Sequence, residues 1–206
     1  MTVPRTAAVA VALLAIATGA VAQADADRFA PCAACHGAAG VSAIADTPSL
    51  AGQPSFYAIT QLFLFRAGRR TNAVMTAMAT PMSDADLRVY SDLIGRLPAA
   101  PPIASTPADP ARMKRGAALA VQHRCTSCHG DDLAGGKQVP RLAGQREDYL
   151  ARSLAEFRAG TRVGYTSAMN ETLAGLGPAE LDDLAHYMAH APGLGTAGQT
   201  AASAPR

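Results

Sequence analysis

The chain has 206 residues, with 18 Lys and Arg against 16 Asp and Glu and a formal net charge of +2. That balance excludes a nucleic-acid surface, which shows as a concentrated basic excess. With no Trp, five Tyr and five Phe, the chain is short of the rings that dominate core burial, so something besides side chains is expected to fill its interior.

Met1 to Arg5 is a short basic start and Thr6 to Ala24 carries no charge. Ala20-Val21-Ala22-Gln23-Ala24 offers two overlapping small-x-small cleavage sites. Residues 1–22 therefore read as a signal peptide, cut after 22 or 24. The run is mostly Ala, too weakly apolar for a retained anchor, and no other stretch of comparable length is apolar. The mature protein is expected to be exported to the periplasm, without a membrane span.

The first half, 23–98, reads as helical. A short helix over Ala26 to Ala34 runs up to Cys32-Ala33-Ala34-Cys35-His36. A second runs from Pro54 to Phe65 and closes at Gly68, with proline in the first turn and glycine past the end. A last helix begins at Ser83-Asp84-Ala85-Asp86, a cap with an acid three positions on. Residues 99–110 hold four prolines in twelve positions, a stiff extended linker. The second half, 111–192, repeats the plan with helices over Met113 to Arg124, Arg146 to Phe157 closing at Gly160, and a last one from Gly177-Pro178-Ala179-Glu180. Residues 193–206 are mostly Gly, Ala, Thr and Ser without pattern and read as a disordered tail. No alternating strand is visible, so the fold class is all-α, three to four helices per half.

The halves are a tandem duplication. Cys32 to His36 returns as Cys125-Thr126-Ser127-Cys128-His129 after 93 positions, and Leu50-Ala51-Gly52-Gln53 as Leu142-Ala143-Gly144-Gln145 after 92. The offset of 92 also maps Tyr57 to Tyr149 and Arg66-Ala67-Gly68 to Arg158-Ala159-Gly160. An offset of 94 then maps Met75 to Met169.

Cys-x-x-Cys-His is the attachment signature of c-type haem: two thiols add to the vinyl groups of one porphyrin, and the adjacent His reaches its iron. A zinc site would call for four thiolates on one ion, which leaves the repeated His unexplained. A thioredoxin-like motif would need a βαβ context. Two covalent haem c groups are therefore expected, on Cys32 and Cys35 and on Cys125 and Cys128, with His36 and His129 as iron ligands. His/Met ligation suits an electron carrier. Only Met75 and Met169 correspond under the repeat, each in a loop before the last helix, so they are the expected sixth ligands. Met188 and Met82 read as core filler, and Met78 has no counterpart in the other half. A ligating His donates its other N–H to a second group, and the carbonyls of Pro48 and Pro140 are candidates.

These motifs, with the repeated Pro-x-Leu-Ala-Gly-Gln, the Phe-Arg-Ala-Gly-x-Arg segments and a Met seven residues before Met82 and Leu176, resemble the dihaem cytochromes c4 over about residues 25–192. The resemblance implies two class I cytochrome c domains whose haems face each other across the domain contact, with propionates near it. It assigns His36 and Met75 to one iron and His129 and Met169 to the other, and supports the Pro48 and Pro140 role. Propionates need cationic or hydrogen-bonding neighbours. Arg70 and Arg162 are the candidates among the duplicated arginines, although any one of these reads as solvated. Tyr57 and Tyr149 either bond a propionate or pack. His123, His186 and His190 have no counterparts in the other half and read as solvated.

With all four Cys used in attachment and both irons six-coordinate, the function implied is electron transfer, not catalysis. The partners implied are redox proteins: a quinol-oxidising complex or dehydrogenase as donor and an acceptor such as a terminal oxidase. The alternative is the haem subunit of a larger dehydrogenase, such as a sulfide-oxidising flavocytochrome. Residues 24–98 carry six bases and six acids and residues 111–192 ten and nine, so no strong steering field marks a docking face.

Overall fold

The computed structural model describes residues 23–102, 106–162 and 166–192. The expected signal peptide, the tail and residues 103–105 of the linker lie outside them. The described residues are helical, with one isolated bridge between Gly136 and Val139. No helix among them is long and apolar enough to cross a membrane.

In the first unit, α1 spans residues 23–36 and so includes the whole first Cys motif. It is followed by α2 (Ser55–Arg66), α3 (Ala73–Ala79) and α4 (Asp84–Arg96). The second unit has α5 (Pro110–Gln122), α6 (Thr126–His129), α7 (Glu147–Arg158), α8 (Ala168–Leu173) and α9 (Pro178–His190). Side-chain caps set the starts of α3, α4 and α5. Ser83 and Asp86 close a reciprocal capping box at α4, and the Asp109 carboxylate accepts from the N–H groups of Ala111 and Arg112 at α5. At α9 only half the box exists: Glu180 accepts from the Gly177 N–H at 2.7 Å.

The helix that carries the Cys motif differs between the units. Arg124 adopts a left-handed conformation (φ 55°), and the N–H groups of Arg124 and Cys125 bond to Val121 O and Ala120 O. That is a Schellman ending, after which the motif restarts as the four-residue α6. Helices α2 and α7 end the same way. Gly68 and Gly160 sit at φ 64° and 71°, where a residue without Cβ is unstrained. Arg69 and Thr161 bond back to Leu64 O and Glu156 O. These turns bring Arg70 and Arg162 back over their own helices.

Met75 and Met169 do not lie in loops. They sit in the short helices α3 and α8, whose six or seven residues are too few to show a period. Local bonds nucleate them: Asn72 accepts from the Met75 N–H at 2.9 Å, and the Ser167 hydroxyl donates to Glu171 at 2.6 Å.

The second unit has the larger core, with Leu150, Leu154, Leu173, Leu181, Leu184 and Met188 around Ala120 and Leu133. The corresponding cluster in the first is Phe29, Ala58 and Ile94. Helices α5 and α9 cross closely at Gly116, where an added Cβ would stand 2.3 Å from Asp183 O and 2.5 Å from the Tyr187 Cβ. Gly116→Val should therefore separate the two helices and destabilise the second unit by about 1–3 kcal/mol, the usual cost of overpacking. Thermal denaturation would show this, and an unchanged melt would mean that the crossing is loose.

His186 is 1% exposed, against its reading as solvated. Its Nε2 accepts from the Asp109 N–H at 2.9 Å and its Nδ1 faces Glu147 at 3.0 Å. His190 lies 3.0 Å from Thr106 O through Nε2. Glu147, His186 and His190 converge closely, but these bonds commit the imidazoles to holding the end of the linker. The first unit has no such task, so the repeat gave no hint of it.

Candidate functional site

Each Cys motif ends in a buried imidazole. His36 Nδ1 is 2.8 Å from Pro48 O, and His129 Nδ1 is 2.9 Å from Pro140 O. A carbonyl only accepts, so Nδ1 carries the proton and Nε2 keeps its lone pair. Among the described residues, Nε2 of neither ring has a hydrogen-bond partner. Burial lowers both pKa values, against the opposing effect of the proline carbonyls, which keeps the rings neutral and suited to a metal. None of the four cysteines is paired in a disulfide; Cys35 and Cys128 are exposed, Cys32 and Cys125 partly covered. Burial raises the pKa of the latter two. Ser42 ties the first motif to its loop by donating to Cys35 O at 3.0 Å. Met75 and Met169 are half-buried, Met169 against the second core.

The two units meet through matched residues that cross over. The Gln145 side chain accepts from the Ser49 N–H at 2.8 Å and donates to Ser49 O at 2.8 Å. Gln53 does the same to Arg141, accepting at 3.1 Å and donating at 2.9 Å. Ser49 and Arg141 correspond under the repeat, as do the two glutamines, so the seam is a local pseudo-twofold. The glutamines were visible in the sequence as part of the repeated motif but carried no assigned role. Their partners belong to the other repeat, which no local pattern reveals.

A second crossed set joins Tyr57 and Arg70 to Tyr149 and Arg162. Arg70 donates to the Tyr149 hydroxyl at 2.9 Å, while Arg162 donates to Tyr57 at 3.3 Å and to Tyr149 at 3.2 Å. Arg70 also donates to Gln61 and Arg162 to Ser153, and each guanidinium lies over a ring of its own helix, Phe65 or Phe157. Arg162 is 6% exposed, against the solvated reading. Its nearest carboxylate, Glu156, is 4.0 Å away, and its Nε is buried without a partner. Burial raises the Tyr149 pKa, but Arg162 and Arg70 outweigh it and bring it down to about 7. A buried cation short of an anion, with an orphaned donor, is costly to leave unpaired. The cluster therefore fits a carboxylate such as a haem propionate.

A neutral imidazole freed at Nε2 beside each Cys pair, twice in an all-helical chain, is the chemistry of a dihaem c-type cytochrome. The cytochrome c family matches residues 113–192. Cytochrome c4 of Pseudomonas aeruginosa is 34% identical over 78% of this chain and 84% of its own. The thiosulfate dehydrogenase electron acceptor of Thiomonas intermedia (strain K12) is 34% identical over 70% of each chain. Reduced cytochrome c4 from Pseudomonas stutzeri has a TM-score of 0.74 at 30% identity, over 82% of this chain and 97% of its own. The chain belongs to the cytochrome c4 family: it is a dihaem electron-transfer protein with two class I cytochrome c domains and two covalently bound haem c groups.

Proposed function

We propose that the chain is exported, cut after residue 22 or 24, and serves in the periplasm as a carrier of one electron per haem. In this reading Cys32, Cys35 and His36 with Met75 hold the first haem, and Cys125, Cys128 and His129 with Met169 the second. The Pro48 and Pro140 carbonyls orient the imidazoles, and Arg70, Arg162, Tyr57 and Tyr149 receive propionates. When bound, each haem supplies one-electron iron chemistry; the chain holds the ligands and shields the site from water. The observation that carries the reading is the pair of imidazoles oriented through Nδ1, with Nε2 left for iron.

The proposed partners are a quinol-oxidising complex or a dehydrogenase on the donor side and a terminal oxidase on the acceptor side. A second reading, acceptor or haem subunit of a sulfur-oxidising dehydrogenase, is favoured by the likeness to the Thiomonas intermedia protein. Catalysis at a metal needs an open coordination position. The purified, reduced chain should accordingly bind carbon monoxide poorly near neutral pH and exchange electrons with small redox partners. Stoichiometric carbon monoxide binding at one haem, with turnover of thiosulfate or peroxide by the chain alone, would overturn the carrier reading. Co-purification of a flavoprotein or a thiosulfate-oxidising enzyme would select the second.

A further inference from the structure

The peptide unit that receives each axial histidine is gripped from the other domain. Pro48 O and the Ser49 N–H belong to one amide group. The oxygen faces His36 Nδ1 at 2.8 Å, and the N–H is given to Gln145 Oε1 at 2.8 Å. The second site repeats this, from His129 Nδ1 through Pro140 O and the Arg141 N–H to Gln53 Oε1. Gln53, Gln145, Ser49 and Arg141 are 6% to 7% exposed, so water does not compete. The orientation of the amides is fixed by their partners. Gln145 Oε1 takes a second N–H, from Arg146 at 3.0 Å, while each Nε2 points at a carbonyl.

Hydrogen bonds in series polarise one another. An acceptor on the amide N–H pushes electron density to its oxygen, which then pulls harder on the imidazole N–H. A stronger bond at Nδ1 makes the ring a better donor through Nε2, which favours ferric over ferrous iron. We propose that Gln145 and Gln53 are positioning residues that act across the domain seam. Gln145 strengthens His36 and Gln53 strengthens His129, so each domain lowers the reduction potential of the other domain's haem. This rests on the ligand assignment above and deepens it, because it makes domain docking a determinant of both potentials.

The test is a redox titration of the full-length, haem-loaded protein, with the two haems followed separately through their hyperfine-shifted methyl resonances. Gln145→Leu should raise the one-electron reduction constant of the His36 haem by about threefold to tenfold, an upward shift of at most ~59 mV for tenfold, with a much smaller change at the His129 haem. Gln53→Leu should do the reverse. Gln145→Glu, which keeps an oxygen on the Ser49 N–H and makes it a charged, stronger acceptor, should lower the His36 haem below its parent potential. Equal shifts at both haems would indicate a loosened seam and overturn the proposal, as would a shift confined to the mutated domain's own haem or none at all. If a leucine variant does not assemble, Gln145→Glu and Gln53→Glu carry the test, and a raised or unmoved potential at the opposite haem overturns it. Mass and the near-infrared band report whether each variant keeps two haems with methionine ligation; their absence from the unmodified protein would count instead against the ligand assignment.

Discussion

Replacing Cys125 and Cys128 by Ala in the exported full-length protein should remove one haem and most of the second domain's structure. The mass should fall by one haem, and the helical signal should drop by a large part of what α5 to α9 contribute. A domain of this size buries a modest fraction of its surface and is marginal without help. Its largest fully buried side chains include Leu133, Leu173, Leu184 and Met188. No Trp is available, and Tyr149 is turned to the seam to meet Arg70. The missing apolar area is what a porphyrin supplies. Cys32→Ala with Cys35→Ala should be at least as damaging, because the Phe29, Ala58 and Ile94 cluster is smaller. Each loss should also weaken the surviving domain, which forfeits the Gln145–Ser49 and Gln53–Arg141 bonds. A cooperative melt and native-like helical signal from the haem-free second domain would show that side chains alone complete its core.

Much of this organisation was legible in the sequence because its signals are local. Ser83 with Asp86, Pro178 after Gly177, and Gly68 and Gly160 announce helix ends through bonds within a few residues. The duplication then doubled every such signal. The short helices around Met75 and Met169 were not legible, since a single turn held by an Asn72 cap or a Ser167–Glu171 bond has no period. Nor was the burial of His186 and Arg162. A charged or titratable residue is assigned to solvent unless its partner is known, and here the partners include a linker amide 77 positions away and a tyrosine of the other repeat. The seam was hidden for the same reason. Gln53 and Gln145 repeat conspicuously, yet what they grip depends on how two domains dock.

Met75→Ala should open the sixth position of one iron and leave the other intact. The oxidised parent is expected to show the weak near-infrared sulfur-to-iron band, and the variant should keep about half of it. Met169→Ala should remove the other half, and the double variant should have none. Thioether ligation favours ferrous iron, so the altered haem should also fall in potential, on the order of 0.1 V within the roughly 0.8 V range that axial ligands span. It should then bind carbon monoxide when reduced. The competing candidates are within reach of the same experiment. Met78 is 39% exposed and Met82 lies just beyond α3, where its carbonyl accepts from Arg66 at 2.9 Å. Neither has a methionine counterpart in the second domain, whereas Met75 and Met169 share a place in α3 and α8, the short helices between the arginine turns and the last helices. Retention of the full band in Met75→Ala would transfer the ligand role to Met78 or Met82. Loss of the whole band from that single change would mean that the second iron is not held by Met169.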